Sequence, residues 1–302
     1  MAFTRIKTIS SQTLSAALLT ASLCAPAETN ADSVDIQWLG GPTMLIEFGP
    51  IRLLTDPMLG EGHQAYKMGD PNEMFDLSIG PNIKDHARLV ALPEWDAEDL
   101  DLVLISHSHE DHFDQTARAT LSRQLKMLAP AVDTPLLNEL GFTQHVQMPW
   151  NKTWRYNEGD YAVSITAMPT AHSTDADIQA LLGHGNGYWI TFSHQSWSKN
   201  LYWAGDTFIT APLVEQLKRQ GDMDIFIPHL GGVGTTGPLG KISMDASDSI
   251  AAIQQLVPEH TLPIHHTTYG LYLEPISKLL AEAEKHHIQV DLPATGSWLS
   301  YR

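Results

Sequence analysis

Three histidines and an aspartate fall within six positions, at His107-Ser108-His109-Glu110-Asp111-His112. Imidazole nitrogens and carboxylate oxygens are the ligands that borderline divalent ions such as Zn²⁺ accept. His107 and His109 are two residues apart, so in an extended segment both rings leave on the same side. Asp111 and His112 follow where the chain should turn into a helix starting near Asp114. A solvated polar loop seldom assembles this HxHxDH pattern by chance.

The element that must position the cluster is the apolar run 102–105, too short for a helix and rich in branched residues. It reads as a buried strand, which puts the histidines in the loop at its C-terminal end, where open α/β folds place ligand sites. Three later stretches repeat the arrangement. Ile165-Thr166-Ala167-Met168-Pro169 leads to His172, and Leu201-Tyr202-Trp203-Ala204-Gly205 leads to Asp206. Leu262-Pro263-Ile264 leads to the adjacent pair His265 and His266. Alone, each is an ordinary loop residue; together with HxHxDH they point to one metal site fed by four strand ends.

HxHxDH at 107–112, the later His172, Ala-Gly-Asp-Thr at 204–207 and Pro-Ile-His at 263–265 resemble the metallo-β-lactamase superfamily over nearly the whole chain after residue 27. The opening Gly40-Gly41-Pro42-Thr43 to Thr55-Asp56-Pro57 resembles the first hairpin of its lactonase-like and phospholipase D-like branch. The resemblance implies an α/β fold, a four-layer αβ/βα sandwich with a dinuclear site at the sheet edges. It implies that His107, His109 and His172 hold one metal, that Asp111, His112 and His265 hold the second, and that Asp206 bridges the two. His265 fits the Pro-x-His pattern; His266 stands where relatives often carry an aromatic, and either lines the pocket or replaces His265 as ligand. The chain departs from the class B β-lactamases, whose site lacks an aspartate where Asp206 stands and often uses a cysteine. β-Lactam hydrolysis is therefore not expected.

Cys24 is the only cysteine in the chain. It lies inside a 1–27 segment with the marks of an export signal: Arg5 and Lys7, an apolar core at 14–23, and Ala25-Pro26-Ala27 as a cleavage site. The apolar core is too short to span a bilayer. Cleavage would leave a periplasmic or secreted protein without disulfide or thiolate, which excludes cysteine nucleophiles and ligands. Removing Arg5 and Lys7 from eighteen basic residues leaves sixteen against thirty-five acidic ones. That balance argues against a nucleic-acid partner, which needs a basic footprint.

Residues 28–302 read as a single large α/β domain. Strands are expected at 34–38, 43–48, 51–54, 100–105, 161–167, 187–192, 200–204, 223–227 and 261–264. Helices are expected at 115–126, 212–219, 243–256 and 276–286, with a strand-to-helix step at 131–140. Antiparallel strands followed by alternating strand and helix occur in both halves, which points to two sheets between helices. Residues 60–97, rich in Gly, Pro, Asn and Asp, read as a long loop, a lid or pocket wall. His63, His86, His184, His286 and His287 read as surface or hairpin residues, and His229, after Phe226-Ile227-Pro228, as a pocket or supporting residue.

The expected chemistry is hydrolysis. Two divalent ions, Zn with Mn or Fe as alternatives, would lower the pKa of a bridging water and present a metal-bound hydroxide to an ester-type bond. Asp111 and Asp206 would orient it and shuttle the proton. A lactone leads as substrate and a phosphodiester follows, in a small molecule or lipid, with Tyr269 a candidate hydrogen-bond donor to the oxyanion. Iron-dependent oxidoreductase chemistry in the same cage and metal binding without turnover are the alternatives.

Overall fold

The computed structural model describes residues 33–302. The expected export segment 1–27, with Cys24, lies outside them. The chain opens on an antiparallel meander of β1 (Val34–Gly40), β2 (Thr43–Phe48) and β3 (Ile51–Thr55). The segment expected as a bare loop carries a turn at Gly62–Gln64 and a hairpin of β4 (Tyr66–Gly69) and β5 (Ile83–His86). Next come β6 (Leu102–Leu104), α1 (Gln115–Thr120), β7 (Lys126–Ala129), α2 (Thr134–Glu139) and β8 (His145–Gln147). The second half begins with β9 (Thr153–Glu158), β10 (Tyr161–Pro169), α3 (Ala176–Leu182), β11 (Asn186–His194) and β12 (Trp197–Trp203). It closes with α4 (Ala211–Lys218), β13 (Ile225–Ile227), α5 (Ala246–Leu256), β14 (His260–Thr261), α6 (Ser277–Lys285) and β15 (Trp298–Tyr301).

Two sheets result. One has the order β15-β1-β2-β3-β6-β7-β8 and the other β14-β13-β12-β11-β10-β9. In each, antiparallel strands give way to parallel ones: β3, β6, β7 and β8 in the first, and β12, β13 and β14 in the second. Side chains alternate across every strand. Ile36, Leu102 and Leu104 of the first sheet and Ile190, Leu201 and Ile225 of the second meet in the central core. Val103 and Ile105 face the opposite way, onto Ala117 of α1 and Leu137 of α2. Tyr202 and Phe226 likewise turn outward onto Leu213, Ile250 and Leu279 of α4, α5 and α6. The layers are therefore helix, sheet, sheet, helix, as expected from the sequence.

Several boundaries differ. The helix expected over 115–126 stops at Thr120, and Lys126–Ala129 is a strand instead. Parallel pairing with β6 buries Met127, Leu128 and Ala129 completely, and that burial outweighs helix propensity. No strand opens the 131–140 step; a short turn at Ala131–Asp133 leads into α2. Strands β8, β9 and β15 and helix α3 are additional. β15 pairs with β1 from the far end of the chain, a contact no local pattern announces. Among the described residues no helix is long and apolar enough to cross a membrane.

Candidate metal centre

Each candidate ligand sits one to eight residues beyond a strand end or a strand-to-strand bridge. His107, His109, Asp111 and His112 lie on the loop after β6, and His172 follows β10. Asp206 follows β12, and His265 follows Ile264, which bridges to His229 beyond β13. Gly205 lets Asp206 approach: its φ is +62°, and a Cβ there would stand 2.8 Å from the Asn186 carbonyl oxygen. Asp56 (φ 27°) and His265 (φ 62°) are two of the eight non-glycine residues with positive φ among the described residues, a conformation that persists only where the surrounding structure holds it.

Two groups of ligand atoms converge there, each with its members within 4.8 Å of one another: His107, His109 and His172; and His112, Asp206, His229 and His265. The Asp206 carboxylate lies between the two groups. Its Oδ1 is 3.4 Å from His112 Nε2 and 3.8 Å from His265 Nε2, whereas Oδ2 is 3.6 Å from His172 Nε2. These gaps are long for hydrogen bonds. They match donors that share an ion, since two ligands at about 2.0–2.1 Å from a tetrahedral metal stand about 3.4 Å apart.

Four of the rings, those of His107, His112, His172 and His265, are presented in one consistent way, Nδ1 tied back and Nε2 turned inward. His172 Nδ1 donates to the Ile242 carbonyl and His265 Nδ1 to the Leu230 carbonyl, both at 2.7 Å. His112 Nδ1 donates to Asp56 Oδ2 at 2.7 Å. His107 Nδ1 lies 3.0 Å from Ser106 Oγ, which itself donates to Asp56 at 2.5 Å. The Nε2 atoms of His107, His112 and His265 are buried and have no hydrogen-bond partner. Buried polar atoms left without partners are rare, and here they aim at common points, so this donor set fits a pair of divalent ions.

Electrostatics agrees. Burial drives His107 well below the ordinary imidazole value, takes His109 down to about 4 and lowers His265. Those rings are neutral at pH 7, as ligands must be. His112 behaves differently. Burial pulls it down, but the Asp206, Asp56 and Asp111 carboxylates outweigh burial and lift it well above the usual range. Burial also opposes ionisation of Asp206, yet the His265 and His112 rings hold it well below the usual carboxylate range. A divalent ion held by His112 and Asp206 would take the place of the ring proton.

The other expected residues separate clearly. Asp111 joins neither group; it is buried in the wall of the adjoining chamber. Both His266 nitrogens are engaged, Nδ1 with Thr267 Oγ1 and Nε2 with the Pro263 carbonyl, and its ring packs on Trp38. Tyr269, the candidate oxyanion donor, is buried, its hydroxyl accepts from Arg88 Nη1 at 2.8 Å, and it is not among the residues lining the chamber. Arg88, unnoticed in the sequence, is buried and also donates to the carbonyls of Val90, Met58 and Leu39. His86 packs on Tyr66 and bonds the Met68 carbonyl, His184 meets Trp150, and His63, His286 and His287 are exposed.

A chamber of about 360 Å³ opens beside the two groups. His109, Asp111, His172 and Asp206 form its inner end, and Met68, Phe75, Leu77, Ile79, Leu181 and Ile242 much of its wall. The segment 60–97, read from the sequence as a lid or pocket wall, supplies nine of the lining residues, all within 68–83. Asp114 ties its start in place: the carboxylate caps α1 through Ala117 N–H and accepts from Gly60 N–H at 2.6 Å.

Comparison with known proteins places these features. Residues 35–265 match the family described as Beta-lactamase superfamily domain. A UPF0173 metal-dependent hydrolase of Pyrococcus abyssi is 24% identical over 209 residues, covering 69% of this chain and 83% of that protein. N-acyl-phosphatidylethanolamine-hydrolyzing phospholipase D 1 of Caenorhabditis elegans is 22% identical over 256 residues, covering 80% of this chain and 67% of that protein. Among solved structures, an isothiocyanate hydrolase from Delia radicum gut bacteria superposes with a TM-score of 0.72 at 22% identity, covering 88% of this chain and 99% of that one. At that identity the likeness is one of fold.

Proposed function

The chain belongs to the β-lactamase superfamily and has the metallo-β-lactamase fold, and from that premise we propose that it is a metal-dependent hydrolase acting on an uncharged ester or lactone that carries an apolar group. The observation that carries the reading is the pair of converging ligand groups with one Asp206 oxygen turned to each. In this reading His107, His109 and His172 hold one divalent ion, His112 and His265 the other, and Asp206 both. Bound ions would supply Lewis acidity and an acidified water. Asp111, in the chamber wall beside His109 and His172, is assigned to the second ion and to proton transfer from the attacking water to the departing alcohol.

The substrate class rests on the chamber. Its wall is largely apolar, its acidic residues are Glu110, Asp111 and Asp206, and no lysine or arginine lines it among the described residues. The ions of this reading could receive part of a phosphodiester's charge, but no lysine or arginine stands ready for its remaining oxygens. An uncharged carbonyl with an apolar chain needs no such partner and fits the largely apolar wall. We also infer from the sequence that residues 1–27 direct export, which N-terminal sequencing of the periplasmic or secreted protein checks.

Elemental analysis of the purified protein, run beside a panel of carboxylesters, lactones and phosphodiesters, tests the reading. Two zinc or manganese ions per chain are expected, with turnover of esters or lactones. Within a homologous series, kcat/KM should rise about fourfold for each methylene buried, until the chamber is full. Iron without hydrolysis of any member would move the assignment to redox chemistry, and metal without any turnover to a binding protein.

A further inference from the structure

His229 lies in the second ligand group, yet both of its nitrogens are already engaged. Trp203 Nε1 donates to His229 Nε2 at 2.7 Å. An indole nitrogen is a donor only, so Nε2 carries the lone pair and the proton of this wholly buried ring sits on Nδ1. That proton faces Asp206 Oδ1, 3.0 Å away. The ring stands nearly parallel to His265, with centroids 5.2 Å apart and planes 10° apart, so it cannot swing a lone pair toward the ligand group without breaking this stack. The next residue works in the same direction, since the Leu230 carbonyl accepts from His265 Nδ1.

We propose that His229 is a positioning residue and not a ligand: with its tautomer fixed by Trp203, it sets the rotation of the Asp206 carboxylate so that Oδ1 faces His112 and His265 while Oδ2 faces His172. The turn after β13 is then a bracket for the second ion, steadying Asp206 through the His229 side chain and His265 through the Leu230 carbonyl. This inference rests on the metal-pair reading. It separates from that reading because it concerns which donor His229 offers, whatever the substrate.

The test is the affinity of each Zn²⁺ ion, read by chelator competition on the full-length protein. An asparagine amide nitrogen falls near the Nδ1 position of histidine, and a glutamine amide nitrogen near Nε2. His229→Gln and His229→Ala are expected to weaken the ion held by His112 and His265 about 10–100-fold, and the other, which keeps its three histidines, by less. His229→Asn should bind both within a few-fold of wild type, and Trp203→Phe, which releases the tautomer, should weaken the same ion as His229→Gln. If the alanine protein does not fold, the Asn and Gln pair carries the comparison. Equal weakening by Asn and Gln, or weakening by every His229 variant with none from Trp203→Phe, overturns the inference in favour of a structural or ligand role. Two ions held as in wild type by all variants overturns it as well. A wild-type protein that takes up a single ion removes the metal pair itself, and the positioning role with it.

Discussion

The two halves of the molecule deliver their candidate ligands in opposite ways. The first crowds His107, His109 and His112, with Asp111 beside them, onto one loop after β6, and the second places His172, Asp206 and His265 singly after separate strands. Their supports differ accordingly. One buried carboxylate, Asp56, accepts from Ser106 N–H at 2.7 Å, from Ser106 Oγ and from His112 Nδ1, and reaches His107 through Ser106. In the second half, rings lean on backbone carbonyls of Ile242 and Leu230, and only Asp206 leans on a side chain. Closely spaced ligands can share one brace. Dispersed ligands each need their own, and backbone carbonyls are available wherever a strand ends.

Asp206 is the one residue whose carboxylate faces both ligand groups, so it has the largest expected effect. Asp206→Asn or Asp206→Ala should lower kcat/KM by more than about a thousandfold and reduce bound metal from two ions to one. Full turnover with two ions retained would mean that the groups do not share a ligand. The next largest effect tests the shared brace. Asp56→Asn replaces an acceptor for three donors with a group that is itself partly a donor, beside His112, with both residues fully buried. Breaking such a pair should cost roughly 3–5 kcal/mol of unfolding free energy in the presence of chelator. It should weaken the ions held by His107 and His112 together. If only the His112 ion weakened, Ser106 would not be relaying the brace to His107.

The same contrast governs what the sequence could reveal. HxHxDH is legible because its ligands are neighbours in the chain, and the dispersed ones because each ends an apolar strand. His229 shows that same signature after Phe226-Ile227, but only its partners, Trp203 and Asp206, distinguish a positioning ring from a ligand. Asp56 was visible as a strand end, and its role was not, since the contact with Ser106 spans fifty residues. Arg88 and the β1–β15 pairing were hidden for the same reason. The 60–97 stretch is legible as a pocket wall, but the residues that form it are not, since Phe75, Leu77 and Ile79 alternate as in a strand yet lie in the turns between β4 and β5. Their common surface exists only once the hairpin of β4 and β5 is folded.

The smallest predicted effect concerns a second, weaker brace on the crowded loop. Asp133, before α2, accepts from Ser108 Oγ at 2.7 Å through Oδ1, whereas its Oδ2 is buried without a partner. Burial pushes this carboxyl up to about 6. Because the folded value lies above the unfolded one, the stabilising contribution is complete below about pH 4 and is lost as pH rises through about 6. Above that, the fold carries a charge it resists. Two pH units at about 1.4 kcal/mol each set a ceiling near 3 kcal/mol, which partial solvent contact reduces to about 1–2 kcal/mol. Asp133→Asn keeps the acceptor for Ser108 and removes the charge. The variant should therefore be about 1–2 kcal/mol more stable than wild type at pH 8 and equal to it near pH 4, by urea unfolding at both values. Equal stability at pH 8 would show that Arg118, whose Nη2 donates to the Ser108 carbonyl, already neutralises the carboxylate. The crowded loop would then rest on two charged braces, Asp56 inside and Asp133 with Arg118 outside, whereas the dispersed ligands rest on none.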